Sequence, residues 1–463
     1  MAVEPEHEYA AEPELTEDEA MAERVAELET AIETTRPAEI LEVLEQYHPA
    51  DAADILEVLP RGAISETAEL LGDQFPTPVL IELRDEYREL VVDHLPDAHL
   101  AETLNQLDSD DAALILDDLT EERQASILDS LKAGEREELE RVMAFDEETA
   151  GRLMQRDFLA APEFWTVGQA VDHARNHADD LPDVFFEIYI IDPTFRVLGA
   201  VPLHTIMRSQ RSIPLGEIMR PITVEITAEM DQEEVAYLFQ KYDLTSAPVV
   251  DESNRLTGMV TIDDVVDVIQ EENREDLLAL SGVSSADAFD TVISTFRSRA
   301  PWLAVNVITA FCASLVISVF ADTIDQIVAL AVLMPVVVAL GGNAGSQTLA
   351  VSVRALAERE LSGATTRRAI FREGVAALMN GVVFSVAVSA IAWIWFQDEK
   401  LSAVIALAML ATFIWAGLSG IIIPLTLKRL GADPAVASSV FLLTTVDIIG
   451  FLSFLGLATA ILL

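Results

Sequence analysis

The run Ser439-Val440-Phe441-Leu442-Leu443-Thr444-Thr445-Val446-Asp447-Ile448-Ile449-Gly450-Phe451-Leu452 sets one carboxylate inside an apolar stretch that extends over 434–463. A charge at membrane depth is expensive, and its default reading is functional: an ion path, a relay or a counter-charge. No Lys or Arg lies in this last run, so a basic partner for Asp447 has to come from another helix. Moving outward, the whole C-terminal third has the same character. Residues 301–463 carry 9 acidic and 8 basic side chains, whereas residues 1–300 carry 69 against 21. Five apolar stretches, near 301–321, 326–351, 373–396, 402–427 and 434–463, each reach the roughly 20 residues that a bilayer-crossing helix needs.

The connections between these stretches predict an orientation. Arg354, Arg359, Arg367, Arg368 and Arg372 lie between the second and third, and Lys428 and Arg429 between the fourth and fifth. The opposite loops hold Asp322 and Asp325, then Asp398, Glu399 and Lys400. The positive-inside rule then puts the long soluble region in the cytoplasm and the C-terminus outside a multi-pass cell (plasma) membrane protein.

Composition narrows the partners. The chain has 463 residues, a formal charge of −49, and only four lysines against 25 arginines. So strong an acidic excess argues against nucleic acid, which is bound through Lys/Arg patches. It fits a salt-adapted (halophilic) proteome, a surface that collects cations, or both. The single cysteine, Cys312, allows no intrachain disulfide and no thiolate cage, and it reads as a small buried packing residue. The first 20 residues contain eight acidic side chains and no Lys or Arg, the composition of a disordered tail and not of a signal peptide.

The soluble part divides in two. Residues 24–145 show helical periodicity with a recurring phrase, His48-Pro49-Ala50-Asp51 and Leu95-Pro96-Asp97-Ala98, 47 residues apart, compatible with HEAT-like helical pairs, with a plain helical bundle as the alternative. Residues 151–272 alternate β-type runs with helical segments. There, Tyr189-Ile190-Ile191-Asp192 leading to Leu198-Gly199-Ala200-Val201 is repeated 59 residues later as Pro248-Val249-Val250-Asp251 leading to Thr257-Gly258-Met259-Val260. This duplication resembles a tandem pair of CBS modules, cytosolic sensor domains attached to many channels and transporters.

Five motifs in order resemble the MgtE-type magnesium transporters over about 45–463. They are Asp146-Glu147-Glu148-Thr149-Ala150-Gly151-Arg152-Leu153-Met154, Thr261 to Glu272 at the end of the second CBS module, Arg299-Ala300-Pro301-Trp302-Leu303, Gly341-Gly342-Asn343-Ala344-Gly345-Ser346-Gln347, and Asp433-Pro434-Ala435 leading to Thr444-Thr445-Val446-Asp447. The resemblance implies a multidomain homodimer in the lipid bilayer. After an acidic tail (1–23) would come an all-α superhelical N domain (24–150), an α/β CBS pair (151–272), a connecting plug helix (273–297) and a membrane domain of five transmembrane helices (298–463). It implies a Mg²⁺ channel that catalyses no reaction.

The same resemblance makes Asp447 the principal pore ligand. Mg²⁺ dehydrates reluctantly and is held with waters retained and few carboxylates, so one Asp per subunit across a two-fold axis suits it. Asn343, between glycine pairs, offers a neutral oxygen where helices approach closely, or serves only helix packing. On the gate side, Asp264, Asp267, Glu271, Glu272, Glu275 and Asp276 are spaced three to five residues apart on one helix, so several share a face. Their repulsion would be relieved by a bridging divalent cation, and cytosolic Mg²⁺ would thereby favour a compact closed state. By resemblance Asp231, Glu233 and Asp243 join this regulatory set; a solvated acidic surface is the plain alternative for each. Gly258, Thr261 and Asp264 fit the ribose-contact pattern of a CBS module, so ATP is a candidate ligand there. The first module departs from that pattern at Pro202 and Thr205. The alternatives are a transporter for another divalent ion (Co²⁺ or Ni²⁺) and a membrane-anchored CBS nucleotide sensor without transport. A CBS-bearing membrane metalloprotease fails on ligands: all seven histidines lie at or before His204 and there is no His-Glu-x-x-His.

Overall fold

The computed structural model describes residues 16–177, 181–182, 184–280, 292–361 and 363–463. Two compact units divide the chain, Met1–Val268 and Ile269–Leu463. The first unit opens with ten short helices: α1 Glu17–Glu33, α2 Pro37–Glu45, α3 Pro49–Val58, α4 Arg61–Leu71, α5 Thr77–Glu82, α6 Asp85–His94, α7 Asp97–Leu104, α8 Ser109–Asp117, α9 Glu121–Ser130 and α10 Ala133–Val142. Proline marks many of their starts, at the first helical position in α2 and α3 and at the N-cap in α4, α5 and α7. There the missing N–H costs nothing and the fixed φ favours the helix. Helices pack on those two places along: α1 on α3, α2 on α4, α3 on α5, α4 on α6, α6 on α8, α7 on α9 and α8 on α10. That stepwise advance makes the superhelix. Its core includes Leu28, Ile40, Ile55, Leu56 and Tyr87.

The CBS pair follows as α11 Ala150–Leu153, β1 Ala160–Pro162, α12 Val167–Asn176, β2 Glu187–Ile191, β3 Val197–Pro202, α13 Leu203–Arg208, α14 Leu215–Ile218, β4 Ile226–Thr227, α15 Gln232–Tyr242, β5 Ser246–Val250 and β6 Leu256–Thr261. Each module is a three-stranded sheet with one parallel and one antiparallel pair, in the orders β1-β2-β3 and β4-β5-β6. The sequence duplication has a physical cause. Asp192 Oδ1 accepts from the amides of Thr194 (2.7 Å) and Arg196 (3.0 Å), and Asp251 Oδ1 from those of Ser253 (2.8 Å) and Arg255 (2.9 Å). The same aspartate turn therefore closes both hairpins. The two repeated glycines permit crossed backbones: a Cβ at Gly199 would lie 2.5 Å from the Arg220 carbonyl, and one at Gly258 2.8 Å from the Gln155 carbonyl. The lead-in to each module thus lies on the last strand of the other, with Ala200 bridging Arg220 and Met259 bridging Gln155.

The helix α16, Ile262–Leu280, leaves β6 directly. The expected connecting helix is represented by the end of α16 and the start of α17, Val292–Val319; its middle, 281–291, lies outside the described residues. The second unit continues with α18 Ala321–Gln326, α19 Ala329–Ala357, α20 Ala364–Phe396, α21 Glu399–Arg429 and α22 Pro434–Leu462. Among the described residues five helices, α17 and α19–α22, are long and apolar enough to cross a membrane. The core of the bundle is α21, packed on α19, α20 and α22. Small residues set the spacing: a Cβ at Gly420 would meet Gly345 O at 2.9 Å and Thr348 Cβ at 2.8 Å, and one at Gly341 would collide with Thr412. One expectation is corrected. Cys312 is exposed, because α17 packs mainly on α22 and turns most of its surface outward.

Candidate ion pathway and regulatory carboxylates

Asp447 and Asn343 sit near the middle of neighbouring helices. Asn343 is 14 residues from either end of α19, about 21 Å along its axis. The segments carrying them touch: Cβ atoms at Gly341, Gly342 and Gly345 would lie 3.0–3.5 Å from Val446, Leu443 and Leu442. Asp447 is half-buried and has no hydrogen-bond or ion-pair partner among the described residues. Thr444 and Thr445 turn their hydroxyls back to their own helix, on Val440 O (2.6 Å) and Leu442 O (3.0 Å), and do not neutralise it. A polar stripe missed at the sequence level accompanies Asn343. Asn343, Ser346 and Gln347, spaced i, i+3 and i+4, are all exposed on one face of an otherwise apolar helix. That spacing was the available signal.

The acids expected in the gate are distributed along α16. Asp264 and Asp267 lie in its first turns and Glu271, Glu272, Glu275 and Asp276 further along. Asp264 is the unusual one: burial, with Asp263 and Asp111 nearby, pushes its carboxyl up to about 7, even though Thr261 Oγ1 donates to its Oδ2 at 2.5 Å. Burial, then Asp263, also raises Asp267. The opposing acids come from α8 of the helical domain and were not predicted. Asp110 is 6% exposed, its Oδ1 has no hydrogen bond among the described residues, and burial followed by Asp264 drives its pKa well upward. Asp111 beside it is pushed up to about 6 by burial and Asp108. The α8 start is fixed on the CBS pair by Ser109, whose hydroxyl donates to Met154 O (3.2 Å) and accepts from the Arg156 amide (3.1 Å). Arg152 reinforces the joint through Asp117 and Phe145 O. Nothing local marks Asp110 in the sequence, since its partner is more than 150 residues away.

The remaining candidates stand apart. Asp231 caps the start of α15, accepting from the Glu233 amide at 2.9 Å, and Asp243 ends the same helix in a left-handed conformation. An 11-residue helix separates them, about 16 Å. Glu233 is exposed in its first turn. Of the nucleotide candidates, Thr261 is buried and paired with Asp264, while Gly258 lies under Met154 and Gln155. Among the described residues no three His, Cys, Asp or Glu side chains form a metal cage.

Three family profiles match the chain in order: "MgtE intracellular N domain" over 47–148, "CBS domain" over 215–271, and MgtE, described as "Divalent cation transporter", over 334–457. The magnesium transporter MgtE of Bacillus subtilis strain 168 is 33% identical over 333 residues, 72% of this chain and 73% of that protein. The chain belongs to the MgtE family. The MgtE of Thermus thermophilus is 32% identical over 330 residues, 71% of this chain and 73% of its own. A crystal structure of the cytosolic domain of the Mg²⁺ channel MgtE in complex with ATP is 32% identical, covers 53% of this chain and 99% of that one, and has a TM-score of 0.48. As an MgtE-family member the chain is a multi-pass membrane transporter and not an enzyme. The helix α8 falls within the N-domain match, and Asn343 and Asp447 fall within the transporter match.

Proposed function

We propose that this MgtE-family chain forms a homodimeric, Mg²⁺-selective path for magnesium uptake across the cell membrane, with Asp447 as its principal ion ligand. The observation that carries the reading is a mid-helix carboxylate with no partner among the described residues, on a helix packed against α19, which carries an exposed polar stripe, Asn343, Ser346 and Gln347. Lipid is a poor neighbour for such a face, so water or a second copy has to cover it. A two-fold arrangement would bring two Asp447 carboxylates to one ion, attractive enough to admit hydrated Mg²⁺ and weak enough to release it. Oxygen-only ligands favour Mg²⁺ over Co²⁺ or Ni²⁺. The basic residues at the facing ends of α19 and α20 and in the last turn of α21 support a cytoplasmic N-terminus and an outside C-terminus.

Cytosolic Mg²⁺ would close this path. Asp110, Asp111 and Asp264 are carboxylates whose ionisation burial and mutual repulsion oppose, and Asp110 Oδ1 is left without a donor. A divalent cation supplies the missing charge and binds only where both surfaces are together, which meets the requirement of differential affinity for a gate. Asp267, Glu271, Glu272, Glu275 and Asp276 along α16, with Asp231, Glu233 and Asp243, would extend the sensing surface. Movement of α16 has a route to the pore: Ala279 near its end is buried in one apolar cluster with Leu349, Leu442 and Val446, the residue before Asp447. An adenine nucleotide is the second proposed ligand, because the Thr261–Asp264 pair supplies a donor and an acceptor that a ribose diol could take over.

The test is Mg²⁺ flux into proteoliposomes at high KCl and low internal Mg²⁺. Native protein should conduct and Asp447→Ala should not. Equal flux in both would remove Asp447 from the path, and flux of Co²⁺ or Ni²⁺ without Mg²⁺ would replace the proposed cargo.

A further inference from the structure

Three arginines on the opening turns of α20 have no place in the ion path. Arg367 and Arg368 are exposed and have no hydrogen-bond or ion-pair partner among the described residues, although the chain holds 78 acidic side chains against 29 basic ones. Arg372 is 67% exposed and, among the described residues, shares its guanidinium only with the adjacent Glu373, at 3.1 Å. At 100° per residue Arg368 and Arg372 lie on the same face as Val375, Met379, Val382 and Val386. Those four apolar side chains are 40%, 65%, 48% and 64% exposed and form the outward, lipid-facing stripe of a membrane-spanning helix. Phe371, 72% exposed, flanks the same end beside Arg367. The guanidiniums therefore continue a lipid-facing stripe, with Arg368 about 10 Å along the axis from Val375. At that level an outward-facing group meets phospholipid headgroups.

We propose that Arg367, Arg368 and Arg372 form a binding site for the phosphate of an anionic phospholipid headgroup, its acyl chains lying along Val375, Met379, Val382 and Val386. The planar guanidinium fork matches a phosphate in bidentate fashion, which a lysine cannot do. Basic clusters next to a membrane helix attract anionic lipid over zwitterionic lipid. A cytosolic protein partner fits less well, because it would have to share this face with the acyl chains that cover the apolar stripe.

The experiment reconstitutes the full chain in equimolar phosphatidylglycerol and phosphatidylcholine vesicles and compares spin-labelled forms of the two lipids by electron spin resonance. Native protein should associate with phosphatidylglycerol in preference to phosphatidylcholine by about twofold or more. The variant Arg367→Gln/Arg368→Gln/Arg372→Gln should lose that preference, and the matching Lys variant should keep part of it. An unchanged preference in the Gln variant overturns the proposal. So does a native preference that excess inorganic phosphate abolishes, because the site would then belong to a soluble anion. Should the triple variant fail to fold, Arg368→Gln alone is read the same way, with halving of the preference expected and no change overturning the site.

Discussion

Asp110 carries the sharpest electrostatic conflict among the described acids of the first unit. Its folded-state pKa lies well above the ordinary carboxylate value, with burial as the first cause and Asp264 as the second. For an acid raised on folding, the stabilising protonated form is complete below the unfolded value of about 4, and the contribution is lost as pH rises through the folded value. Asp264, pushed up to about 7, sets the window, so metal-free protein should gain stability on acidification from about pH 8 to about pH 5. Calorimetry in EDTA should show a gain on the order of 1–3 kcal/mol that Asp110→Asn reduces. Mg²⁺ at about pH 8 should produce a similar gain in native protein and a smaller one in the variant. Identical pH and Mg²⁺ responses in the two proteins would take Asp110 out of the interface. Arg88 presents the opposite case. It is 5% exposed and donates to Asp118 (2.6 Å), Asp85 (2.9 Å) and Leu83 O (3.3 Å). Arg88→Met strands Asp118, whose pKa burial already pushes up to about 6, and should cost about 3–5 kcal/mol in urea unfolding. Adding Asp118→Asn should return much of that loss; a double variant no better than the single one would assign the cost to lost packing instead.

Among the elements, the membrane helices depend on glycine at their closest approach. The Gly345 carbonyl and the Thr348 side chain occupy the place of a Cβ on Gly420, and neither is the free end of a long chain. Gly420→Val should force α19 and α21 apart, cost about 1–3 kcal/mol or more, and lower Mg²⁺ flux together with the yield of folded protein. Normal flux and yield would mean the helices can slide to accommodate the side chain. Much of this level was legible in the sequence. Apolar length alone gave the five spans, and the 59-residue duplication gave the two CBS sheets, because the aspartate turn and the crossing glycine recur at fixed offsets. Asp447 stands out in the sequence as a candidate because charge within an apolar run is rare. Asp110 was not, since burial and a partner on α16 make it unusual and neither leaves a local trace. Asp231 and Asp243 read simply as acids, and only the fold reveals them as the two ends of one helix. Cys312 misled because an apolar neighbourhood in a membrane helix signals lipid exposure as readily as a protein core.

For the molecule as a whole, a net charge of −49 has to coexist with compact packing. At about 0.1 M salt the Debye length is near 10 Å, so acids on neighbouring elements repel across the surface; at about 1 M it falls to about 3 Å and only contacting charges still interact. The two regimes separate bulk screening from bridging. Lowering KCl from about 1 M to about 0.1 M should depress the melting temperature of the native chain, since repulsion among exposed acids returns. Mg²⁺ should restore it at concentrations far below those at which KCl does, because a divalent ion between Asp110 and Asp264 acts at contact range. In Asp110→Asn/Asp264→Asn the Mg²⁺ response should shrink toward the ionic-strength effect alone, while the KCl response stays. The same variant should need more Mg²⁺ to stop flux even at about 1 M KCl, where long-range repulsion is screened out. A native chain that responds to Mg²⁺ only in proportion to ionic strength would leave Asp110 and Asp264 without a bridging ion and the ion path without a sensor at this pair.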